Sequence, residues 1–358
     1  MIYIHAINKV TTGKFYVSFL FVSLFSIDYA SMRKILSIFS LLLLPFSLSA
    51  EQWHYSRADL TFENDADVRT DRGYTEGAQL SMLMHREDVN DSWFQIPLMA
   101  KYQRNHFVSF SIAQQMFTPE DLNATEPVPG DRPYAGWLYA QVGLHQSTCE
   151  NLDSLSLKLG IVGKHAYMEN VQKFIHWLIG SPEPKGWENQ IGSKVGIQLD
   201  YQHKWRYLPP DLWVFESDFI PYVSGELGNI SIKASVGASW RVGYNIPHDF
   251  GDSPIDEYGD NGVPTSVRVK YAHKSKWSYY FNFGVGGSYV LYDIFLDGRT
   301  LNGDEFVHKY STRAFGNYGA SLRYGNFALS YIRTHYTPEY TTQEEPSSFG
   351  SLLFVYRF

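Results

Sequence analysis

Four stretches of the chain carry residues able to do chemistry. The first is Glu63-Asn64-Asp65-Ala66-Asp67-Val68-Arg69-Thr70-Asp71-Arg72-Gly73-Tyr74-Thr75-Glu76-Gly77. Within nine residues it offers four carboxylates and an amide oxygen, of which Glu63, Asn64, Asp65 and Asp71 are taken as the candidate donors. Oxygen donors of this kind suit a hard cation such as Ca²⁺. If the preceding strand ran on, its parity would send Asn64 and Asp65 to opposite faces, so they can share a site only if the strand ends there. A solvated hairpin loop is the plain alternative. The second is His176 with Gln172, spaced i, i+4 and therefore stacked one turn apart on a helix, although an isolated histidine on such a helix is more often structural. The third, Asp131-Arg132-Pro133-Tyr134-Ala135-Gly136-Trp137, reads as an Asp–Arg turn leading into interfacial aromatics. The fourth is an acidic loop, Asp249, Asp252, Asp256, Glu257 and Asp260, whose simplest reading is solvation, with divalent cations as its other natural partners. No Gly-x-Ser-x-Gly elbow occurs, and the single cysteine, Cys149, excludes a disulfide framework and Cys-based metal sites.

The elements that must hold these residues are mostly strands. Period-two alternation runs through most of the chain. Val195, Ile197, Leu199, Tyr201 and Trp205 fall on one parity, with Lys194, Gln198, Asp200, Gln202, Lys204 and Arg206 on the other. Similar alternation covers 229–245, 277–292 and 308–324. Strands near 53–63, 75–86, 105–117, 134–147, 151–163, 192–206, 212–226, 229–245, 277–292, 308–324, 326–336 and 347–358 make twelve. Such strands exceed the usual five or six residues of a globular sheet and match the length needed to cross a bilayer. Lipid forbids an open sheet edge, so the expected fold is all-β, a closed transmembrane antiparallel barrel. The aromatic load of 26 Tyr, 24 Phe and 9 Trp agrees, and the chain ends on an amphipathic segment closing at Phe358. The short links Leu227-Gly228-Asn229, Tyr324-Gly325-Asn326 and Glu150–Asp153 are expected on the periplasmic side. One segment departs from this period. Met168, Val171, Phe174, Ile175 and Leu178 recur at three and four, and Gly180-Ser181-Pro182 supplies a stop. This predicts a short helix in a long connection, with Gln172 and His176 on its next face.

Met32-Arg33-Lys34, the apolar run Ile35–Leu48 and the small residues Ser49 and Ala50 read as a secretory signal peptide. Residues 1–50 are therefore taken as an upstream extension plus signal, with Met32 the expected true start, and 51–358 as one barrel domain. A membrane anchor made from the earlier run Phe15–Ile27 is the alternative. The formal charge of −7 leaves no basic footprint for nucleic acid.

In order along the chain stand Glu63-Asn64-Asp65, Thr70-Asp71-Arg72-Gly73-Tyr74-Thr75-Glu76-Gly77, Gln115-Met116-Phe117-Thr118-Pro119-Glu120-Asp121, Asp131-Arg132-Pro133-Tyr134-Ala135-Gly136-Trp137, Val171-Gln172-Lys173-Phe174-Ile175-His176 and Gly186-Trp187-Glu188-Asn189-Gln190. This series resembles the outer-membrane lipid A 3′-O-deacylase family over essentially the whole mature chain. The resemblance implies a 12-stranded barrel and a Ca²⁺-dependent carboxylic ester hydrolase that releases the 3′-acyloxyacyl group of lipid A. It implies a site between the barrel wall and a short helix, facing the outer leaflet. The family's site residues fall on Asn64, Asp65, Thr75, Gln172 and His176. By that analogy His176 is the general base on water and Gln172 orients it. Asp65 and Thr75 hold the cation, and Asn64 orients the substrate or completes the oxyanion site. The loop before Tyr74-Thr75 is shorter here, and Gly180-Ser181-Pro182-Glu183-Pro184 is proline-rich where some members carry a glutamate. The expected partners are lipopolysaccharide as substrate and outer-membrane lipid, with the chain acting as a monomer. A phospholipase-like outer-membrane lipase and a non-catalytic porin or adhesin are the competing classes.

Overall fold

The computed structural model describes residues 53–65, 72–86, 105–210, 213–255, 262–266, 275–298 and 307–358. The expected signal peptide, Asp67, Asp71, Asp256, Glu257 and Asp260 lie outside the described residues. Twelve strands follow one another: β1 (Trp53–Asn64), β2 (Gly73–Arg86), β3 (Asn105–Thr118), β4 (Ala135–Ser147), β5 (Asn151–Val162), β6 (Lys194–Trp205), β7 (Glu216–Gly228), β8 (Ser231–Tyr244), β9 (Trp277–Asp293), β10 (Thr312–Tyr324), β11 (Phe327–Tyr336) and β12 (Ser348–Arg357). Each pairs antiparallel with the next, and β1 pairs with β12, so the sheet closes with no free edge. Helix α1 (Met168–Ile179) lies in the β5–β6 connection, and a one-turn helix α2 (Ile294–Asp297) follows β9.

Alternation turns the sequence inside out relative to a soluble protein. On β6, Val195, Ile197 and Leu199 are 64%, 51% and 42% exposed, whereas Gln198, Asp200, Gln202 and Lys204 are buried. The apolar parity therefore faces outward and the polar parity lines the interior, as a barrel in lipid requires. At the end where β1 begins and β12 finishes, exposed Trp277 and Tyr324 pack together, as do Phe327, Tyr356 and Phe358, forming part of an aromatic girdle.

Two expectations need correction. In a meander, successive links alternate between the two ends, so side is set by strand parity and not by link length. The turn after Gly228 consequently lies at the same end as α1, opposite the turns after Ser147 and Tyr324. The described part of the acidic loop, with Asp249 and Asp252, is also not solvated. Residues 246–255 leave β8 at the end where β1 begins and fold back into the barrel, where Asp249 and Asp252 are buried. Arg241 binds Asp249 and Asp218, each at 2.6 Å, Arg57 binds Asp252 at 2.8 Å, and Arg357 reaches Asp249 at 3.3 Å. Polar-parity arginines inside a barrel would otherwise be buried charges, and the loop's aspartates compensate them.

The inserted segment reaches far along the lumen. The N–H of Ile255 donates to Glu63 Oε1 at 2.7 Å near the top of β1, and Ile255 joins an apolar cluster with Tyr74, Phe117, Phe295 and Phe349. Glu63 also accepts from Tyr74 Oη at 2.6 Å and from Ser351 Oγ at 2.8 Å. It therefore belongs to the anchor of this plug and not to a cation cluster with Asn64, whose side chain lies on the opposite parity. Interior cavities of about 40 and 100 Å³ remain among the described residues. Spaces of that size hold a few waters.

Candidate active site

The outer wall near the α1 end is built differently from the rest of the lipid-facing surface. On β2 the outward residues Leu80 and Met82 are 43% and 37% exposed, but Ala78 and Glu76, closer to the rim, are 1% and 3% exposed. Their β3 neighbours on the same face, Gln114 and Met116, are buried as well. Helix α1 covers part of this patch. Met168, Val171 and Ile175 pack with Met116 and Leu138. A Cβ on Gly136 would sit 2.3 Å from Met168 Cγ, so the close approach of helix to wall needs glycine there.

A β-bulge shapes the barrel half of the site. In the β2–β3 register Tyr74 opposes Phe117 and Glu76 opposes Met116, which leaves Thr75 without a partner position. The extra residue breaks strict alternation, so Tyr74 faces the lumen while Thr75 reaches the outward residue Thr118. The two hydroxyls are 2.6 Å apart. On the other side, Asn64 stands directly opposite Glu76. β1 ends at Asn64, which meets the condition for Asn64 and Asp65 to share a site. The Asp65 backbone N–H donates to Thr75 O at 3.3 Å, and Asp65 Oδ2 accepts from Arg72 N at 2.9 Å, closing the loop that begins there.

The helix half owes its geometry to three separate sequence motifs. Gln172 and His176 share a face of α1, as their spacing predicted, and both are buried there. Gln172 Oε1 accepts from Trp187 Nε1 at 2.7 Å, so the amide NH₂ is presented away from Trp187. Trp187 packs against Tyr134, ring centres 4.7 Å apart. Tyr134 and Trp137 are thus buried structural residues and not interfacial aromatics. Arg132 is buried too, bonded to Glu339 at 3.0 Å and lying over the Phe117 ring. Asp131 accepts from Glu120 N and Tyr340 Oη, each at 2.7 Å, tying the neighbouring loops together.

His176 is oriented by the chain that follows it. Gly180 caps α1 in the left-handed region at φ 75°, where a residue without Cβ is favoured. The chain then turns back, and the Pro182 carbonyl lies 2.5 Å from His176 Nδ1. A carbonyl can only accept, so Nδ1 carries the proton and the lone pair of the neutral imidazole sits on Nε2. That is the tautomer a general base needs. On α1, Lys173 bridges Glu169 and Glu183, and hydrogen bonds to those carboxylates raise its pKa.

The residues expected from sequence thus form two groups at one rim. Asn64, Asp65 and Thr75 meet on the wall, Gln172 and His176 on the helix, and Met116 packs between β2 and α1. Sequence reasoning gave no role to Glu76, Gln114, Thr118, Trp187 or Pro182, which the structure places against or beside these residues. The signal for Glu76 was available: it is a carboxylate on the parity that carries Leu80 and Met82 outward. The donors at the wall suit a hard cation, being carboxylate, amide and hydroxyl oxygens. Gln114 Oε1 is in addition a buried acceptor with no hydrogen-bond donor among the described residues. Among the described residues no group of three His, Cys, Asp or Glu side chains assembles, so the set does not resemble a nitrogen- and sulfur-ligated zinc centre.

No curated protein sequence matches the chain. Among solved structures, LpxR from Salmonella typhimurium matches with a TM-score of 0.68 at 21% identity, over 85% of this chain and 100% of that one. The β domain of the Bordetella autotransporter BrkA matches with a TM-score of 0.39 at 8% identity, over 86% of this chain and 98% of its own. The translocator domain of autotransporter NalP from Neisseria meningitidis also has a TM-score of 0.39, at 7% identity, over 92% and 100%. The family model described as outer membrane protein LpxR covers residues 35–358. The chain therefore belongs to the outer membrane protein LpxR family, outer-membrane barrels that modify lipid A.

Proposed function

We propose that the protein hydrolyses the 3′-O-linked acyloxyacyl ester of lipid A, with His176 as general base on water and with Ca²⁺ as its cofactor. The observation that carries this reading is the hydrogen bond from His176 Nδ1 to Pro182 O, which leaves Nε2 as the basic nitrogen on the buried face of α1. In the reaction, Nε2 takes a proton from water as its oxygen attacks the ester carbonyl. The protonated imidazole then returns that proton to the departing sugar 3′-oxygen, so no acyl-enzyme forms. Gln172, locked by Trp187, directs its amide NH₂ as a neutral donor for the water or the ester. Asn64 offers a second neutral group from the wall. Asp65 and Thr75, with neutral oxygens beside them, would hold the cation. When bound, Ca²⁺ supplies positive charge for the oxyanion of the tetrahedral intermediate.

The placement of the site supports a lipid substrate. It lies on the outer wall beside lipid, while the lumen is filled by the inserted loop, so access is lateral from a leaflet and not through a pore. By strand parity α1 lies at the end opposite the start of β1 and the finish of β12, and we assign that end to the outer leaflet. The test is mass spectrometry of lipid A from cells with and without the protein, paired with a chelator control on outer membranes. Loss of the 3′-acyloxyacyl mass, blocked by chelation, is expected. Unchanged lipid A alongside hydrolysed phospholipid would transfer the assignment to a phospholipase.

A further inference from the structure

We infer that Glu76 is the second carboxylate of the cation site, alongside Asp65. This rests on the calcium reading above and extends it to a residue that the ordered motifs did not assign.

The argument begins with where the carboxylate sits. Glu76 is on the outward parity of β2, yet only 3% exposed, on a face that a few residues lower meets lipid through Leu80 and Met82. A carboxylate there carries a heavy desolvation cost, and a strand in a barrel wall can place almost any residue at that position more cheaply. The cost makes sense if the charge has a task. Its surroundings point to which one. Asn64 stands directly across from it in the β1 register, and the bulge at Thr75 brings a threonine hydroxyl to the adjoining position, bonded to Thr118. Gln114 donates from Nε2 to Glu76 Oε1 at 2.9 Å. The same amide leaves its Oε1, on a side chain 3% exposed, with no donor.

That last atom distinguishes a cation site from a simple strand pin. Had the pair evolved only to join β2 to β3, the amide oxygen would be a buried acceptor left unsatisfied for no return. Next to a cation it is a neutral oxygen ligand, or an acceptor for a metal-bound water. Ca²⁺ takes six to eight oxygens, and its affinity rises with the number of charged ligands. Asp65 alone supplies one charge, and one of its oxygens already closes the loop at Arg72. Glu76 provides the second charge among the neutral oxygens of Asn64, Thr75 and Gln114.

The experiment is calcium binding, measured by isothermal titration of the intact mature barrel in detergent micelles, with heat-modifiable migration reporting the fold. Glu76→Gln keeps an oxygen for Gln114 Nε2 but removes the charge. It should raise the Ca²⁺ dissociation constant on the order of 10–100-fold, whereas His176→Ala should bind Ca²⁺ like the wild type. Glu76→Asp, which retains the charge but withdraws it by one methylene, should weaken binding in the same direction and serves if the glutamine variant does not fold. Wild-type affinity in a folded Glu76→Gln or Glu76→Asp variant would make Glu76 a strand pin and overturn the inference. Absence of Ca²⁺ binding by the wild type would instead remove the calcium reading itself, and the role of Glu76 with it.

Discussion

Ile255, the last described residue of the segment that leaves β8 and enters the barrel, donates its backbone N–H to Glu63 at 2.7 Å. Glu63 precedes Asn64, and the two side chains lie on opposite faces of the same strand. Tyr74 and Phe117 repeat the relationship: both pack against the apolar cluster that contains Ile255, and each is followed by an outward threonine of the site, Thr75 and Thr118. The plug and the site are therefore the two faces of one stretch of wall. A tightly packed lumen holds the backbone that the outer residues hang from, which is how a site on a membrane-facing surface keeps its geometry.

The first prediction concerns the base. His176→Ala should leave the barrel intact, because α1 contributes no strand pairing. Loss of a general base is expected to lower the hydrolysis rate by roughly 10²–10⁴-fold. Release of the 3′-acyloxyacyl chain from purified lipopolysaccharide measures it. Near-wild-type turnover by a folded variant would remove His176 from the mechanism.

The second concerns the seat of the helix. A Cβ at Gly136 would fall 2.3 Å from Met168 Cγ and 2.7 Å from its Cβ. Gly136→Ala should therefore push α1 off the wall, an overpacking cost of about 1–3 kcal/mol borne locally. Activity should fall while heat-modifiable migration is unchanged. Adding Met168→Gly at the first position of α1 removes both clashing atoms, and the double variant should recover activity relative to Gly136→Ala alone. Failure of that rescue would mean that the helix is not held by this contact.

The third concerns the plug. Burial alone would raise the Asp249 carboxyl, but Arg241, then Arg357 and Arg57, hold it well below the usual range. With the folded pKa depressed, its stabilising contribution is fully present above the unfolded value of about 3.9 and is lost only as pH falls toward the folded value. The temperature of heat-modified migration should thus be little affected by this group between neutral pH and about pH 5, and fall in stronger acid. Asp249→Asn leaves Arg241 with a reduced share of compensating charge, at a cost of about 3–5 kcal/mol for a broken buried pair. It should unfold at lower temperature than the wild type at neutral pH. Equal stability there would show that the loop contributes nothing to the barrel.

Much of this architecture is legible without coordinates, because a lipid-facing strand must alternate and a helix must recur at three and four. Those two periods, with the turns between strands, place α1 and the strands near their observed positions, although alternation by itself leaves the strand count open by two either way. What alternation cannot express is a departure from itself. The bulge at Thr75 moves one residue between faces, and a parity count through Tyr74-Thr75-Glu76 has no term for it. The destination of the 246–255 loop was equally hidden. An acidic loop reads as solvated until one knows that Arg57, Arg241 and Arg357 converge inside the barrel, and each arginine comes from a different strand. Pro182 illustrates a third kind of omission. Its contribution to His176 is a backbone carbonyl, which no side-chain motif can announce.

The last prediction isolates the indole–amide bond that sets Gln172. Trp187 Nε1 donates to Gln172 Oε1 at 2.7 Å while the indole ring packs on Tyr134. Trp187→Phe keeps an aromatic ring against Tyr134 but deletes the donor. The amide oxygen then loses this buried donor, a loss of about 1–3 kcal/mol, and with it the contact that holds the oxygen toward the indole. If Gln172 works by orientation, turnover should fall on the order of tenfold, close to the effect of Gln172→Ala. The two substitutions together should then cost little more than either alone, because both remove the same oriented NH₂ group. Hydrolysis rates of the wild type, the two single variants and the double variant complete the cycle. Strictly additive losses would show that Trp187 and Gln172 act independently and that the bond between them does not serve the reaction.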